Sequence, residues 1–586
     1  MRQSKTVLIF IFVFLCNCSF AQNGYLWGDG GKGYALISSL SSDNNGNCMA
    51  FGLFHNDTVE IGSYFFQDST SNLGFFVMKI DPYGNILWAK QAMNKDANGY
   101  GQDDNNGMAI DIAGNTYCTG AFSDSIVFGS TTLVNNLNVN YNETSFLAKY
   151  DPNGNIKWAK QFQLKSDTSD ITSNSVSTDS KGNCYVVGIY FDTVSIGGNT
   201  LVPTYNLDGG GGDFLVKYDS NGIFKWVKQS SGEADYWSMT NDRFGNSIIT
   251  GDFFDTVTFG SDTVRAQNYF GGWAFTVKYD SSGNVLWARQ ATSISHFISS
   301  NAAGSVGWKL VTDLSGNIYV LGVYGDTVVF APDTLINRSA QGLFLVKYDP
   351  NGNVIWAKQP EILDNNEWNP DGLAIDKYND IYFSGDGGGS GSGSFKIQFG
   401  DTILSTTSSD FSSNALFVFK IDSNANVLCG SILPGGGDDD WNGLASDSSG
   451  KHVYISGPTI VPLIFGQDTI TPPATAYGIS SFVARWEACD VNLITINQNI
   501  KTTEQVILYP NPNNGKFNIQ FSVVSVQLSV VDVYNMLGEK VFTEILRSAQ
   551  GDNRINLSNL PSGLYLYRVI DGNGGLIGSG KFVMEK

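Results

Sequence analysis

Carboxylates set beside tryptophans are the groups in this sequence whose types and spacing could do chemistry. Asp438, Asp439 and Asp440 run directly into Trp441, and Glu233 and Asp235 lead into Tyr236 and Trp237. Asp364, Glu367 and Asp371 surround Trp368, Trp308 lies between these groups, and Asp103 and Asp104 form an earlier pair. Aromatic rings stack on sugar faces while carboxylates accept hydrogen bonds from hydroxyls, so the combination suits a carbohydrate. The same carboxylates would suit a partner bridged by a cation. The plainer reading leaves the carboxylates solvated and uses the rings to fill gaps between elements. No catalytic residue can be named. The three histidines, His55, His296 and His452, are widely scattered, which excludes a histidine-rich zinc site. No His-based nucleophile arrangement and no distinct carboxylate pair stands out.

What would position these groups is a repeated phrase. "KYDPNGNIKWAKQ" at 149–161 returns as "KYDPNGNVIWAKQ" at 347–359, with relatives beginning at 79, 217, 278 and, decayed, 420. The aspartates that open these turns, from Asp81 to Asp422, are separated by 70, 68, 61, 69 and 73 residues. A second turn, such as "DIAGNTYCTG" (111–120) or "DLSGNIYVLG" (313–322), occurs seven times. In both turns Asp is expected to accept backbone N–H bonds, and Gly to take the left-handed position that closes a short hairpin. Asn379 and Ala425 stand where that Gly is lost; Asn tolerates the conformation and Ala does so poorly. Calcium held by the turn aspartates is the alternative, and no other cofactor is implied. The turns differ from sialidase Asp boxes, since the Gly comes one residue later and no arginine triad accompanies them.

Each unit reads as four strands. In the second they cover 107–111, 116–120, 145–151 and 156–161, with a longer connection holding "SDSIVFG" (123–129). The strand-end tryptophans Trp88, Trp158, Trp226, Trp287 and Trp356 are read as core packing. Seven such units predict an all-β fold, a seven-bladed β-propeller over residues 22–487. "GYLWGD" (24–29) looks like a fourth strand lacking its first three, and "SFVARWE" (481–487) like a third strand lacking its fourth. Pairing residues near 26 with residues near 484 would complete the seventh blade. Over 24–487 the sequence resembles the bacterial β-propeller repeat (SBBP-type) family of exported proteins, through its "DxxGN" and "KYDxxGNxxW" phrases. That resemblance implies a fold and a secreted setting, and no single activity. Connectivity places the short turns on one face and the variable unit-to-unit loops on the other. The second face carries the candidate ligand residues Tyr236, Trp237, Trp308, Trp368, Trp441 and Asp438 to Asp440.

The 586 residues include 66 Gly, 13% aromatics and 15% charged residues, which suits tight turns and strands rather than helices. The first 21 residues read as a signal peptide: Arg2 and Lys5, an apolar run too short to span a bilayer, then Ser19 and Ala21, with cleavage between Ala21 and Gln22. No transmembrane segment and no lipid anchor is expected. Losing Arg2 and Lys5 takes the net charge from −20 to −22, a surface that repels nucleic acid and anionic membrane. Five cysteines remain, Cys48, Cys118, Cys184, Cys429 and Cys489. The odd number leaves at least one unpaired, and Cys429 with Cys489 is the one pair considered.

Residues 488–506 lack the repeat phrases and read as a linker. Beyond it, "YPNP" (Tyr509, Pro510, Asn511, Pro512), "VYNMLGEKV" with Gly538, "LPSGLYLYRV" with Pro561, Gly563 and Tyr565, and the basic end at Lys581 and Lys586 fall in alternating strands. They are enough for a small immunoglobulin-like β-sandwich over 507–586. This stretch is similar throughout to the type A C-terminal sorting domain of the Bacteroidetes type IX secretion system. The similarity implies passage to the periplasm by the signal peptide, then across the outer membrane, with release or surface attachment. The function expected is binding or adhesion to an extracellular glycan or protein by a monomer. The alternatives are a hydrolase or lyase acting on extracellular polysaccharide, and a structural surface-layer component.

Overall fold

The computed structural model describes residues 25–586 except 62, 96–106, 136, 138–141, 206–210, 267–271, 295–303, 340, 365–366, 389–393, 408–414, 435–442, 460–462, 466–467, 471–479, 487–505, 522–528, 536–539, 547–552 and 572–575. The described residues form antiparallel sheets without a helix, so none is long and apolar enough to cross a membrane. Two compact units result, 1–492 and 493–586.

In the larger unit the sequence repeat becomes a four-stranded meander. The third copy pairs Asp170–Thr178 with Cys184–Phe191, that strand with Gly211–Tyr218, and that with Phe224–Lys228. The first strands of the seven copies are Tyr25–Ser42, Gly107–Ile110, Asp170–Thr178, Ser231–Asn241, Ser305–Thr312, Glu367–Ile375 and Gly443–Ser446. Each lies against the next, and the last lies against the first. Tyr25–Ser42 serves twice, because its opening residues also pair with Ser480–Trp486, Gly28 opposite Ala484. This is the terminal pairing expected from the sequence. The core sits between copies. One cluster joins Tyr117 and Leu147 to Val186 and Phe214, and another joins Ala50 and Phe76 of the first copy to Tyr454 and Val483 of the seventh.

The turns are built as their residue types dictate. Asp151 Oδ1 accepts the N–H groups of Asn153 at 3.0 Å and Asn155 at 2.9 Å, and Asn155 Nδ2 reaches Asp151 Oδ2 at 3.0 Å. Those bonds, led by the Asn155 side chain, hold the Asp151 carboxyl below its ordinary range. Gly154 has φ +79°, and Asn379 and Ala425 take φ of 64° and 67° in its place. Gly154 also lies under a neighbour: a Cβ there would come within 2.7 Å of Trp88 in the preceding copy.

The strand-end tryptophans do more than pack. In four of the five the indole N–H donates to a carbonyl in the next copy's third-to-fourth turn: Trp88 to Pro152 at 3.0 Å, Trp158 to Ser220 at 3.4 Å, Trp287 to Pro350 at 3.1 Å and Trp356 to Ser423 at 3.2 Å. The lysine across the strand pair reaches the same turn, with Lys149 Nζ 3.0 Å from the Ser220 carbonyl and Lys347 Nζ 2.9 Å from that of Ser423. Tyr117, Tyr185 and Tyr382 donate to the glycine carbonyls of the next first-to-second turn. The phrase repeats because its donors address the next copy of the phrase.

The longer connections within copies also carry strands. In the second copy Ser125–Phe128 and Thr131–Val134 form a hairpin, and Ala92 of the first copy pairs with Phe128. The same link joins Gln163 to Ser195, Thr292 to Val329 and Glu361 to Gln398. Alternation over four residues is too short to distinguish such a strand from a loop.

The smaller unit closes a sheet of Val506–Tyr509, Lys516–Phe521 and Asn553–Asn556 and a second of Lys540–Leu546, Ser529–Tyr534, Gly563–Asp571 and Leu576–Met584 on one core. Phe517, Val531, Val533, Ile555, Tyr567 and Phe582 meet there.

Candidate functional site

Among the described candidate residues, Trp237 and Trp308 come together. Each sits five residues before a turn aspartate, Asp242 or Asp313. At each, the pairing of first and second strands skips a residue: between Tyr236 and Ser238 in one copy, and between Gly307 and Lys309 in the next. A bulge re-aims the residue it isolates. Both indoles are half-buried, with ring centres 4.9 Å apart and planes inclined at 41°. The same bulge position holds Ser38, Asn174 and Asp371 in other copies. Five residues before the turn aspartates of the second and seventh copies the sequence has Asn106 and Asn442, which lie outside the described residues.

Carboxyls gather beside the pair. Trp237 Nε1 donates to Asp252 Oδ1 at 2.7 Å, and Asp252 stands directly opposite Asp235 across two strands. Asp252 replaces the apolar residue found after the second-strand glycine in four other copies, Leu53, Ala121, Ile189 and Val323, while the sixth copy carries Asp386 there. A Cβ on Gly272 would lie 2.1 Å from its Oδ2, so that approach needs glycine. Burial, reinforced by the charge of Asp235, pushes Asp252 to about 7 against the opposing Trp237 bond. Burial and then Glu233 raise Asp235 to about 6. Asp213, fully buried, is raised to about 7 by burial although Ser230 donates both N–H and hydroxyl to it. Asp213 and Asp252 are buried, so of the three only the half-buried Asp235 is open to a ligand, and a carboxyl that holds a proton near neutrality can donate to a sugar hydroxyl as well as accept from one. Among the described residues no group of three or more His, Cys, Asp or Glu is placed to hold a metal.

Two candidate rings belong to the core instead. Tyr236 and Trp368 are fully buried, so neither offers a face to a ligand. Tyr236 packs on Phe259 and Phe275 with its hydroxyl 3.3 Å from that of Tyr279, while Trp368 packs on Phe395 and Phe417 and donates to Asp364 at 3.1 Å. Strand alternation sends each between sheets, where only a large ring fills the space. Asp371 is buried too. Trp441 and Asp438, Asp439 and Asp440 lie outside the described residues, as do Ala21, Gln22 and Gly538.

In the smaller unit the motif residues hold the chain end. Asn511 Oδ1 accepts the Val583 N–H at 2.8 Å and its amide reaches the Lys581 carbonyl at 3.3 Å. The buried Tyr565 donates to the Pro561 carbonyl at 2.8 Å. Pro510, Pro512, Gly563 and Lys581 are exposed, and Tyr509 is half-buried.

The chain has distant likenesses to known proteins. A WD repeat-containing protein of Acanthamoeba polyphaga mimivirus is 24% identical over 352 residues, 48% of this chain and 24% of that protein, so the chain spans about a quarter of its length. A fungal alcohol oxidase of the AA5 family, solved with copper, is 11% identical with a TM-score of 0.36, covering 97% of this chain and 100% of its own. PorZ of Porphyromonas gingivalis, a surface component of the type-IX secretion system, is 11% identical with a TM-score of 0.22, covering 94% of this chain and 81% of its own. Similarity this low carries no statement about activity. Residues 507–585, by contrast, match the secretion system C-terminal sorting domain, which marks the protein as a type IX substrate that is secreted or displayed at the cell surface.

Proposed function

We propose that residues 22–487 are a seven-bladed β-propeller of the SBBP kind, freed of its leader after Ala21, which binds an extracellular glycan or protein at Trp237 and Trp308. The propeller reading rests on the cyclic succession of seven first strands and on the pairing of residues 25–30 with 482–486. The binding reading rests on one observation: two half-buried indoles share a bulge position on neighbouring copies, beside carboxyls that retain protons. Asp235 opposite Asp252 favours a second reading, since a carboxyl that keeps its proton as an acid beside one that ionises first, as a base or nucleophile, is what a polysaccharide hydrolase uses.

The secreted protein is to be screened on a glycan array and on a panel of polysaccharides. Trp308→Ala should abolish array binding and leave the melting temperature nearly unchanged, whereas Trp368→Ala should lower stability by about 3–5 kcal/mol because its ring is in the core. Full binding by a folded Trp308→Ala protein would exclude this site, and turnover on the panel would favour the hydrolase. Removing residues 504–586 should leave a folded protein in the periplasm; its appearance in the medium would contradict the export route.

A further inference from the structure

The turn face, where short repeated turns predominate, carries a cleft of about 570 Å³ between the second and third copies. We propose that this cleft binds a carboxylated saccharide, with Lys157 and Lys181 holding the carboxylate. The repeat itself separates structural residues from the rest. Lys149 and Asp111 at the cleft occur in most copies and are satisfied: Lys149 Nζ lies 3.5 Å from Asp111, 3.0 Å from the Ser220 carbonyl and 4.6 Å from the centre of the Tyr117 ring.

Lys157 and Lys181 are different. Both are exposed, both line the cleft, and neither has an ion-pair partner within 4.0 Å among the described residues. At the position of Lys157 the other copies carry Leu87, Lys225, Leu286, Ile355 and Leu428, and Lys225 is neutralised by Asp219 at 2.8 Å. At the position of Lys181 they carry Asn45, Ala113, Phe244, Ser315, Tyr378 and Ser449.

The chain carries a net charge of −20, a field that repels polyanions, and two exposed lysines offset it locally toward an anion of low charge. A single carboxylate on an otherwise neutral sugar fits that balance better than a heavily sulfated chain. The half-buried indole of Trp158 lines the same cleft for a ring to pack against, and Ser180 and Asn221 are exposed at its edge for hydroxyls. The volume suits one or two sugar units.

The test is titration of the secreted protein with digalacturonate and with its dimethyl ester, which has the same rings without charge. Digalacturonate should bind, more weakly as salt rises, and the ester should bind at least about tenfold less well. Lys157→Gln and Lys181→Gln should each weaken digalacturonate roughly three- to tenfold with an unchanged melting temperature, while Lys225→Gln should not. Trp308→Ala should leave this binding intact, which separates the cleft from the tryptophan site above. No digalacturonate binding, equal binding of the ester, or full binding by the folded lysine variants would each overturn the proposal. So would loss through Trp308→Ala alone.

Discussion

The Tyr454 hydroxyl donates to the carbonyl of Gly46, 408 residues earlier in the chain. Arg485 likewise donates to the carbonyl of Pro82. These are the bonds that Tyr117 and Lys149 make to Gly182 and Ser220 in the copy that follows them. The seventh copy therefore treats the first as its successor, although the chain does not connect them there.

The opening residues of Tyr25–Ser42 complete the seventh sheet, so removing residues 22–30 should cost far more than an ordinary terminal trim. It strips the hydrogen-bonding partners of Phe482 to Trp486 and leaves a free strand edge. Thermal melting beside a control lacking only residues 22–24 decides the matter. Equal midpoints would mean that the first and seventh copies hold together without this strand.

Much of this was legible from residue types. Asp and Gly at fixed spacing gave the hairpins, and Asn379 and Ala425 were expected at positive φ because Gly was missing there. The site was less legible, for a physical reason. Tyr236 and Trp237 are neighbours, and alternation says only that they point to opposite faces. Which one is buried depends on the bulge between Tyr236 and Ser238, and no residue type announces it. Only the recurrence of a polar or aromatic residue five places before each turn aspartate, Asn174, Trp237, Trp308 and Asp371, could have hinted at it. The indole donors were also missed. A lysine two residues before the turn aspartate and a tryptophan seven after it, constant in Lys149 and Trp158 as in Lys347 and Trp356, was the signal that both reach one neighbouring turn.

Ala425 holds a left-handed conformation that a Cβ disfavours, with φ 67°. Ala425→Gly should therefore stabilise the chain by roughly 1 kcal/mol in denaturant unfolding. Gly154→Ala should do the reverse by a larger amount, since its Cβ would also meet Trp88 at 2.7 Å. A destabilised Ala425→Gly protein would mean that the alanine methyl contributes packing worth more than its backbone strain.

Asp213 and Asp252 rise from 3.8 to about 7 on folding, mainly through burial. Between those values the folded chain holds protons that the unfolded chain has released, so stability falls as pH rises through the window. The turn aspartates Asp151 and Asp349 are lowered instead, and their contribution is lost only as pH falls below about 4. The melting temperature should peak in mildly acidic solution and decline toward pH 8. Asp252→Asn keeps an acceptor for Trp237 and removes one titration, so its decline should be shallower. A decline as steep as that of the parent would show that Asp252 is already ionised in the folded chain at pH 5.

Cys429 stands where a tryptophan stands in earlier copies, opposite Lys420 as Trp158 is opposite Lys149 and Trp356 opposite Lys347. A tryptophan there would seek the carbonyl one residue after the aspartate of the next third-to-fourth turn, the place of Pro152, Ser220, Pro350 and Ser423. The seventh copy has no such turn, because its fourth strand comes from the other end of the chain. Counted from Trp486, which faces Val453 as Tyr150 faces Thr116, that place falls on Ala488, beside Cys489. Cys429 is disulfide-bonded, whereas Cys48, Cys118 and Cys184 are free and buried. Cys489 itself lies outside the described residues. A Cys429 to Cys489 bond would put a covalent link at a junction where an indole has no third-to-fourth turn carbonyl to reach, ahead of the sorting domain in the sequence. Its formation releases two protons and two electrons, which a protein disulfide of the cell envelope accepts in becoming a dithiol. Peptide mapping without reductant should recover the linked pair, and Cys489→Ala should lower stability by roughly 2–4 kcal/mol. Alkylation of both thiols in the unreduced secreted protein would show the junction to be held by strand pairing alone.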